Sequence, residues 1–111
     1  MKILEEINNQ IGILKLKGRL DASVVNDLKD NVNSLVKNKI VYIVIDLGEV
    51  DFIDSSGLGS LVSCLRLVNK KSGDIRLASL QDQIRALIEL TRLHRVFQIY
   101  DNRESALNSF N

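Results

Sequence analysis

The fold is decided by "IVYIVIDL", residues 40–47, and by "DFIDSSGLGS", residues 51–60, which follows three residues later. The first segment is short, β-branched and almost wholly apolar, which is typical of a central strand covered on both faces. The second segment ends the apolar run with carboxylates, and a Ser-Ser pair and two glycines precede a new apolar pattern. This order predicts a buried strand that leads directly into a helix.

The rest of the chain alternates between strand-like and helix-like segments. Apolar patterning predicts further strands at residues 2–8, 11–17, 74–80 and 96–100, with Gly18 ending the second strand. Helical spacing predicts four helices, from "GRLDAS" to residues 37–39, from the quoted serines to about residue 71, at 82–90 and at 103–110. The order ββαβαβαβα predicts an α/β fold with a mixed central β-sheet, because the first connection is short enough for an antiparallel hairpin and the later crossovers give parallel pairs.

Composition excludes several classes of function. The 111 residues carry 15 Lys and Arg against 14 Asp and Glu, and the basic residues are dispersed, so nothing predicts direct nucleic-acid binding. The single cysteine, Cys64, cannot form an internal disulfide, which favours a reducing compartment. No apolar segment is long enough for a signal peptide or a membrane span. We therefore expect a cytoplasmic protein that does not associate with a membrane.

Two functions that use small molecules remain as alternatives. A serine hydrolase could pair Ser55 or Ser56 with His94, the only histidine, but the serines precede the glycines and do not form the G-x-S-x-G pattern. A small-ligand or nucleotide sensor could use the same helix start. The Gly57-Leu58-Gly59 segment is an incomplete G-x-G-x-x-G motif, because Val62 occupies the third glycine position.

The quoted serines also suit a helix start that works as a switch. Asp54, Ser55 or Ser56 can accept a hydrogen bond from a free backbone N–H group of the first turn. A helix N-terminus favours added negative charge, and a phosphoserine brings about −1.5 to −2 charges. The domain could accept that charge, whereas a partner docked beside Asp54, Asp51 and Asp21 could not. The residues themselves do not distinguish Ser55 from Ser56 as the phosphorylated position.

One face of the predicted second helix is mostly uncharged. By helical angle, Leu67 lies opposite the apolar stripe, and Ser56, Ser60 and Ser63 fall on its side. This face adjoins the Ser-Ser pair, so we expect it to contribute to a surface that binds protein.

Three segments carry a resemblance to a known family. "VIDLGEVDFIDSSGLGSLV", residues 44–62, "LKLKGRLDASVVNDLK", residues 14–29, and the segment 75–107 together resemble the STAS domains of bacterial anti-sigma factor antagonists. The resemblance covers nearly the whole chain. It implies one STAS domain over residues 1–111, with helices packed largely on one face of the sheet.

The resemblance also implies a function without catalysis, cofactor or metal. Such antagonists bind an anti-sigma factor that is also a serine kinase and so regulate transcription by a sigma factor. The kinase phosphorylates the serine after the motif aspartate, here Ser55, and a metal-dependent serine phosphatase reverses the modification. We expect a monomer or weak dimer. The partner-facing roles fall on Asp21, Asp54, Ser56, Gly57 and Leu58, beside the helix-face residues Ser60, Ser63 and Leu67.

Overall fold

The computed structural model describes residues 1–111 and contains one five-stranded sheet in the order β1-β2-β3-β4-β5. The strands are β1 (Lys2–Asn8), β2 (Ile11–Leu20), β3 (Tyr42–Ile53), β4 (Asp74–Ala78) and β5 (Gln98–Tyr100). β1 pairs antiparallel with β2, and all other neighbours are parallel. The predicted mixed sheet is confirmed.

The four predicted helices are present as α1 (Val25–Lys37), α2 (Ser55–Asn69), α3 (Asp82–Leu90) and α4 (Arg103–Asn108). Two 3-10 turns, Ala22–Val24 before α1 and Leu93–Arg95 before β5, complete the chain. No helix combines the length and the apolar character needed to cross a bilayer.

The second strand is longer than predicted. Asn9 and Gln10 have positive φ angles of 51° and 67°, which suits a two-residue hairpin turn between β1 and β2. The prediction that Gly18 ends β2 is wrong, because the strand continues to Leu20. Gly18 has φ 110° and lies at an irregularity in the pairing with β3. Its backbone freedom lets the strand pass through a bulge instead of ending.

The central strand is also longer than predicted, and this extension positions the candidate site. β3 continues past Gly48 to Ile53 because its second half still pairs with β2, through Lys17 with Glu49 and Leu20 with Ile53. Only Asp54 separates β3 from α2. The Ser-Ser pair therefore lies directly at the carboxyl end of the central strand.

The helices lie mainly on one face of the sheet, as predicted. Helices α1, α2 and α3 contribute Leu28, Leu61 and Ile84 to a main core of 23 buried residues that includes Ile45 of β3. A smaller cluster lies on the opposite face, where Ala106 of α4 packs with Ile11, Val44 and Ala78. Both faces of the first half of β3 are covered, which explains the nearly continuous apolar sequence of residues 40–47.

Candidate functional site

Two chain segments meet at the carboxyl edge of β2 and β3. Leu20, the last residue of β2, pairs with Ile53, the last residue of β3. The backbone N–H of Asp54 donates to the carbonyl oxygen of Leu20 at 3.3 Å. The turn that begins at Asp21 and the first turn of α2 are consequently neighbours in space.

Asp54 caps α2. Its backbone is extended, and its Oδ1 accepts a hydrogen bond of 2.9 Å from the backbone N–H of Gly57. This satisfies one of the N–H groups that the first helical turn leaves without an intrahelical partner. Ser55 and Ser56 occupy the first two helical positions, and both are exposed. The structure therefore places two hydroxyl groups at an accessible helix N-terminus.

Gly57 faces the sheet and not the solvent. A Cβ atom at this position would lie 2.2 Å from the Leu20 carbonyl oxygen and 2.9 Å from Cγ2 of Ile53. Only glycine therefore lets the start of α2 approach the end of β2 so closely. The residue is buried, so its predicted partner-facing role is replaced by a packing role.

Ser60 belongs to the same inner side of α2. Its side chain is only 2% exposed, and its Oγ donates to the Gly57 carbonyl oxygen at 2.7 Å. The exposed position that helical angle predicted for Ser60 is wrong, because the close approach at Gly57 turns this side of the helix toward the core. Ser60 is thus a satisfied buried hydroxyl and is unavailable to a partner.

The remaining predicted residues of α2 lie on or near its outer side. Leu58 is half-buried against the main core, and Ser63 is exposed. Leu67 is also half-buried and lines a cavity of about 250 Å³ between α1 and α2, together with Lys29 and Arg66. Leu67 is therefore part of a groove and is not the free apolar anchor that the helical angle suggested.

Asp21 caps the 3-10 turn at Ala22–Val24, which adjoins the start of α2. Its Oδ1 accepts hydrogen bonds from the Ser23 hydroxyl at 2.6 Å and from the Ser23 backbone N–H at 3.0 Å. These bonds, with a smaller contribution from the Arg19 guanidinium 3.8 Å away, lower the pKa of the Asp21 carboxyl below its usual value. Asp21 is therefore a carboxylate at neutral pH, beside the start of α2.

Sequence patterns assign no role to Arg19 at this edge, and they mark Gly59 only as the second glycine of the incomplete G-x-G-x-x-G motif. The Arg19 guanidinium carbon lies 3.8 Å from the centre of the Phe52 ring, which suits a cation–π contact. Gly59 is exposed, and a Cβ atom there would meet no atom within 4 Å. Because of this open space, no packing contact within the chain requires a glycine at position 59. Intrinsic helix propensity would favour alanine there.

The predicted serine–histidine alternative gains no geometric support. His94 lies in the 3-10 turn before β5, and two strand spacings, about 10 Å, separate β5 from β3. Cys64 is buried, and desolvation raises the pKa of its thiol to about 11, which keeps it protonated and unreactive. The structure brings together no three side chains suited to hold a metal ion.

Comparison with known protein families matches the STAS domain over residues 2–106. The chain belongs to the STAS domain family. This result confirms the resemblance that the three sequence segments carry.

Similar proteins match this chain over nearly the whole STAS domain. The anti-sigma F factor antagonist of Paenibacillus polymyxa is 27% identical over 108 residues, which cover 96% of this chain and 92% of that protein. The crystal structure of an anti-sigma factor antagonist from Mycobacterium paratuberculosis has a TM-score of 0.86 at 25% identity, covering 97% and 92% of the two chains. The phosphorylated form of the Bacillus cell fate determinant SpoIIAA has a TM-score of 0.78 at 18% identity, covering 99% and 100%. At that identity the likeness shows the fold alone.

The groups at this edge of the STAS domain are suited to the recognition of another molecule. An exposed Ser-Ser pair lies at a helix N-terminus, with the carboxylates of Asp21 and Asp54 beside it and Arg19 on the neighbouring strand. None of these groups forms a nucleophile–base pair. The edge can present hydroxyl and backbone donors to a docked surface, and it can hold added negative charge.

Proposed function

We propose that this STAS domain is an anti-sigma factor antagonist that switches partners through phosphorylation of Ser55. In the unphosphorylated state it binds an anti-sigma factor that is also a serine kinase, and this releases a sigma factor in the cytoplasm. A metal-dependent serine phosphatase restores the binding state. The observation that carries the proposal is the exposed Ser55 hydroxyl in the first turn of a capped helix. The names of similar proteins and the "DSSGLG" motif support it.

The site would tolerate the phosphate within the folded domain. Ser55 is exposed and follows the cap, so its phosphate can remain in water while it benefits from the positive end of the α2 dipole. Gly57 and Ser60 hold the opposite side of the turn through contacts that do not involve Ser55. Phosphorylation should therefore leave the fold intact.

The same phosphate would oppose a docked partner. Asp21 and Asp54 already place negative charge at this edge. A dianion on Ser55 adds further negative charge at this edge, and it must lose its bound water when a partner covers it. We expect release to follow from this desolvation and steric cost at the interface.

The proposed binding surface follows from exposure around Ser55. It comprises the outer side of the first turns of α2, the Asp21 turn and the accessible end of the α1–α2 groove. Its residues are Asp21, Asp54, Ser56, Leu58, Gly59, Ser63 and Leu67. In this arrangement ATP and metal belong to the partner enzymes, and the STAS domain itself acts by binding.

The phosphorylated position can be tested with matched serine variants. The wild-type chain, Ser55→Ala and Ser56→Ala are incubated with ATP and an anti-sigma factor kinase that binds the wild type. Mass spectrometry of the intact chain and its peptides then locates the phosphate. We expect Ser56→Ala to be modified like the wild type and Ser55→Ala to remain unmodified. Full phosphorylation of Ser55→Ala would overturn the assignment.

A further inference from the structure

The outer edge of the sheet at β5 carries an open cavity of about 820 Å³, separate from the start of α2. Arg85 and Glu89 of α3, Arg92, His94 and Arg95 of the following turn, and residues 97–100 line it. β5 is an edge strand, because it pairs only with β4. The cavity therefore lies along a strand edge that no other element pairs with.

The lining is basic although the chain is nearly neutral. Three arginines face one lining carboxylate, Glu89, whereas the whole chain has a formal net charge of only +1. Arg92 and Arg95 have no carboxylate within 4.0 Å, and the only one near Arg85 is Asp101 at 3.7 Å. The Asp101 side chain is 96% exposed, so this ion pair is weakly held.

The backbone of β5 offers free hydrogen-bonding groups beside these arginines. The Tyr100 carbonyl accepts a hydrogen bond of 3.1 Å from the Ser79 backbone N–H, so the groups of Tyr100 face β4. Backbone groups of successive strand residues alternate in direction. The N–H and C=O of Ile99 consequently face away from β4, toward the open edge.

Local features beside this edge also suit a docked chain. Leu90 at the end of α3 and Val96 before β5 are large apolar side chains with exposures of 82% and 53%. Arg92 adopts a left-handed conformation with φ 63° directly after the end of α3, a position that usually favours glycine.

We propose that this cavity, here called the β5 groove, binds an acidic, extended segment of a partner protein. The segment adds as a strand beside β5, with backbone hydrogen bonds to Ile99 and carboxylates against Arg85, Arg92 and Arg95. A compact anion would use the arginines alone, whereas a polypeptide uses both the arginines and the free backbone groups of Ile99. The β5 groove is thus a second protein-binding site, independent of Ser55.

The test uses the full chain labelled with ¹⁵N and a capped peptide of alternating Val and Glu, about eight residues long, which is an ordinary strand length. A Val–Lys peptide of equal length is the matched control. We expect the Val–Glu peptide to shift the amide signals of residues 98–100 and to slow hydrogen exchange at Ile99. The Val–Lys peptide should cause neither change.

Charge-reversal variants test whether the groove itself is responsible. Arg92→Glu with Arg95→Glu should weaken peptide binding by about tenfold or more, since each substitution replaces a proposed ion pair with a like-charge contact. Arg66→Glu, which changes an exposed arginine on α2, should leave binding unchanged. An equal loss for Arg66→Glu would overturn the proposal, because it would indicate non-specific charge attraction.

Two further measurements distinguish other occupants. Inorganic triphosphate that binds through Arg92 and Arg95 while the peptide does not bind would assign the groove to a small anion and overturn the proposal. Sedimentation showing that the chain self-associates through this edge would assign it to a second copy, whose β1 carries Glu5 and Glu6. Slowed exchange at Ile99 with the Val–Glu peptide and a monomeric chain is the result that supports the proposal.

Discussion

The inner and outer sides of the first turns of α2 differ in what surrounds them. On the inner side, Gly57 has no room for a methyl group, and the Ser60 hydroxyl is buried and hydrogen-bonded. On the outer side, Gly59 has open space, and Ser55 and Ser56 are exposed. The same residue types thus serve packing on one side and leave an accessible surface on the other. The inner contacts fix the helix start, so we expect the outer side to tolerate a change of charge without loss of the fold.

The largest expected effect is on the inner side, at Gly57→Ala. The added methyl would overlap the Leu20 carbonyl, so β2 and α2 must separate. We expect the free energy of unfolding to fall by about 3 kcal/mol, the upper part of the range for overpacking. Urea denaturation measures this change. A loss below about 0.5 kcal/mol, the usual size for surface substitutions, would show that the inner side is not tightly fixed.

The cap between the two sides should give a smaller effect. Asp54→Ala removes the acceptor of the Gly57 N–H, so we expect the free energy of unfolding to fall by about 1 kcal/mol. Asp54→Asn is the matched control because asparagine caps helices equally well. Chemical denaturation of both variants gives the comparison. Equal losses for alanine and asparagine would mean that charge, and not the cap hydrogen bond, is responsible.

The outer side should respond to the same glycine substitution in the opposite direction. Gly59→Ala adds a methyl group in open space and raises helix propensity, so we expect the free energy of unfolding to rise by about 0.5–1 kcal/mol. If a partner packs against this position, the same variant should lose about tenfold in partner affinity, for a clash of about 1.4 kcal/mol. Calorimetry with an anti-sigma factor kinase measures the second effect. A more stable variant with unchanged affinity would remove Gly59 from the proposed surface.

The smallest effect concerns acid sensitivity at the Asp21 turn. The pKa of Asp21 lies below 3.8, so its ionised form adds stability at higher pH that is lost as the pH falls through this lowered pKa. Asp21→Asn lacks this titration. We expect the difference in Tm between the wild type and Asp21→Asn to be largest near neutral pH and to shrink below pH 3.8. A difference that grows on acidification would contradict the sign of the pKa shift.

Local patterns were sufficient to predict most of the architecture. The period of the apolar residues located every helix and strand, and the residues of α3 were predicted without error. The extension of β3 was missed because Gly48, Glu49 and Asp51 suggest a loop, whereas the pairing of Glu49 and Ile53 with β2 keeps this segment in the sheet. The pairing contains two irregularities, between Lys15 and Lys17 and between Gly18 and Arg19. The positions of such bulges depend on the partner strand as well as on local sequence.

The candidate site shows the same limit. The cap, the exposed Ser-Ser pair and their position after the central strand follow from local sequence. The burial of Ser60 does not, because it depends on how closely α2 approaches Leu20. The β5 groove was missed for a related reason. Arg85, Arg92 and Arg95 are dispersed among other residues, and only the turn after α3 brings them around one cavity.

The central claim is that the outer side of α2 binds a partner only while Ser55 carries no phosphate. Its most direct test is the affinity of an anti-sigma factor kinase for the unphosphorylated and the Ser55-phosphorylated chain, measured by calorimetry on samples with matching folded-state spectra. We predict that phosphorylation weakens binding by about tenfold or more, which corresponds to at least about 1.4 kcal/mol. Equal affinities for the two forms would contradict the account.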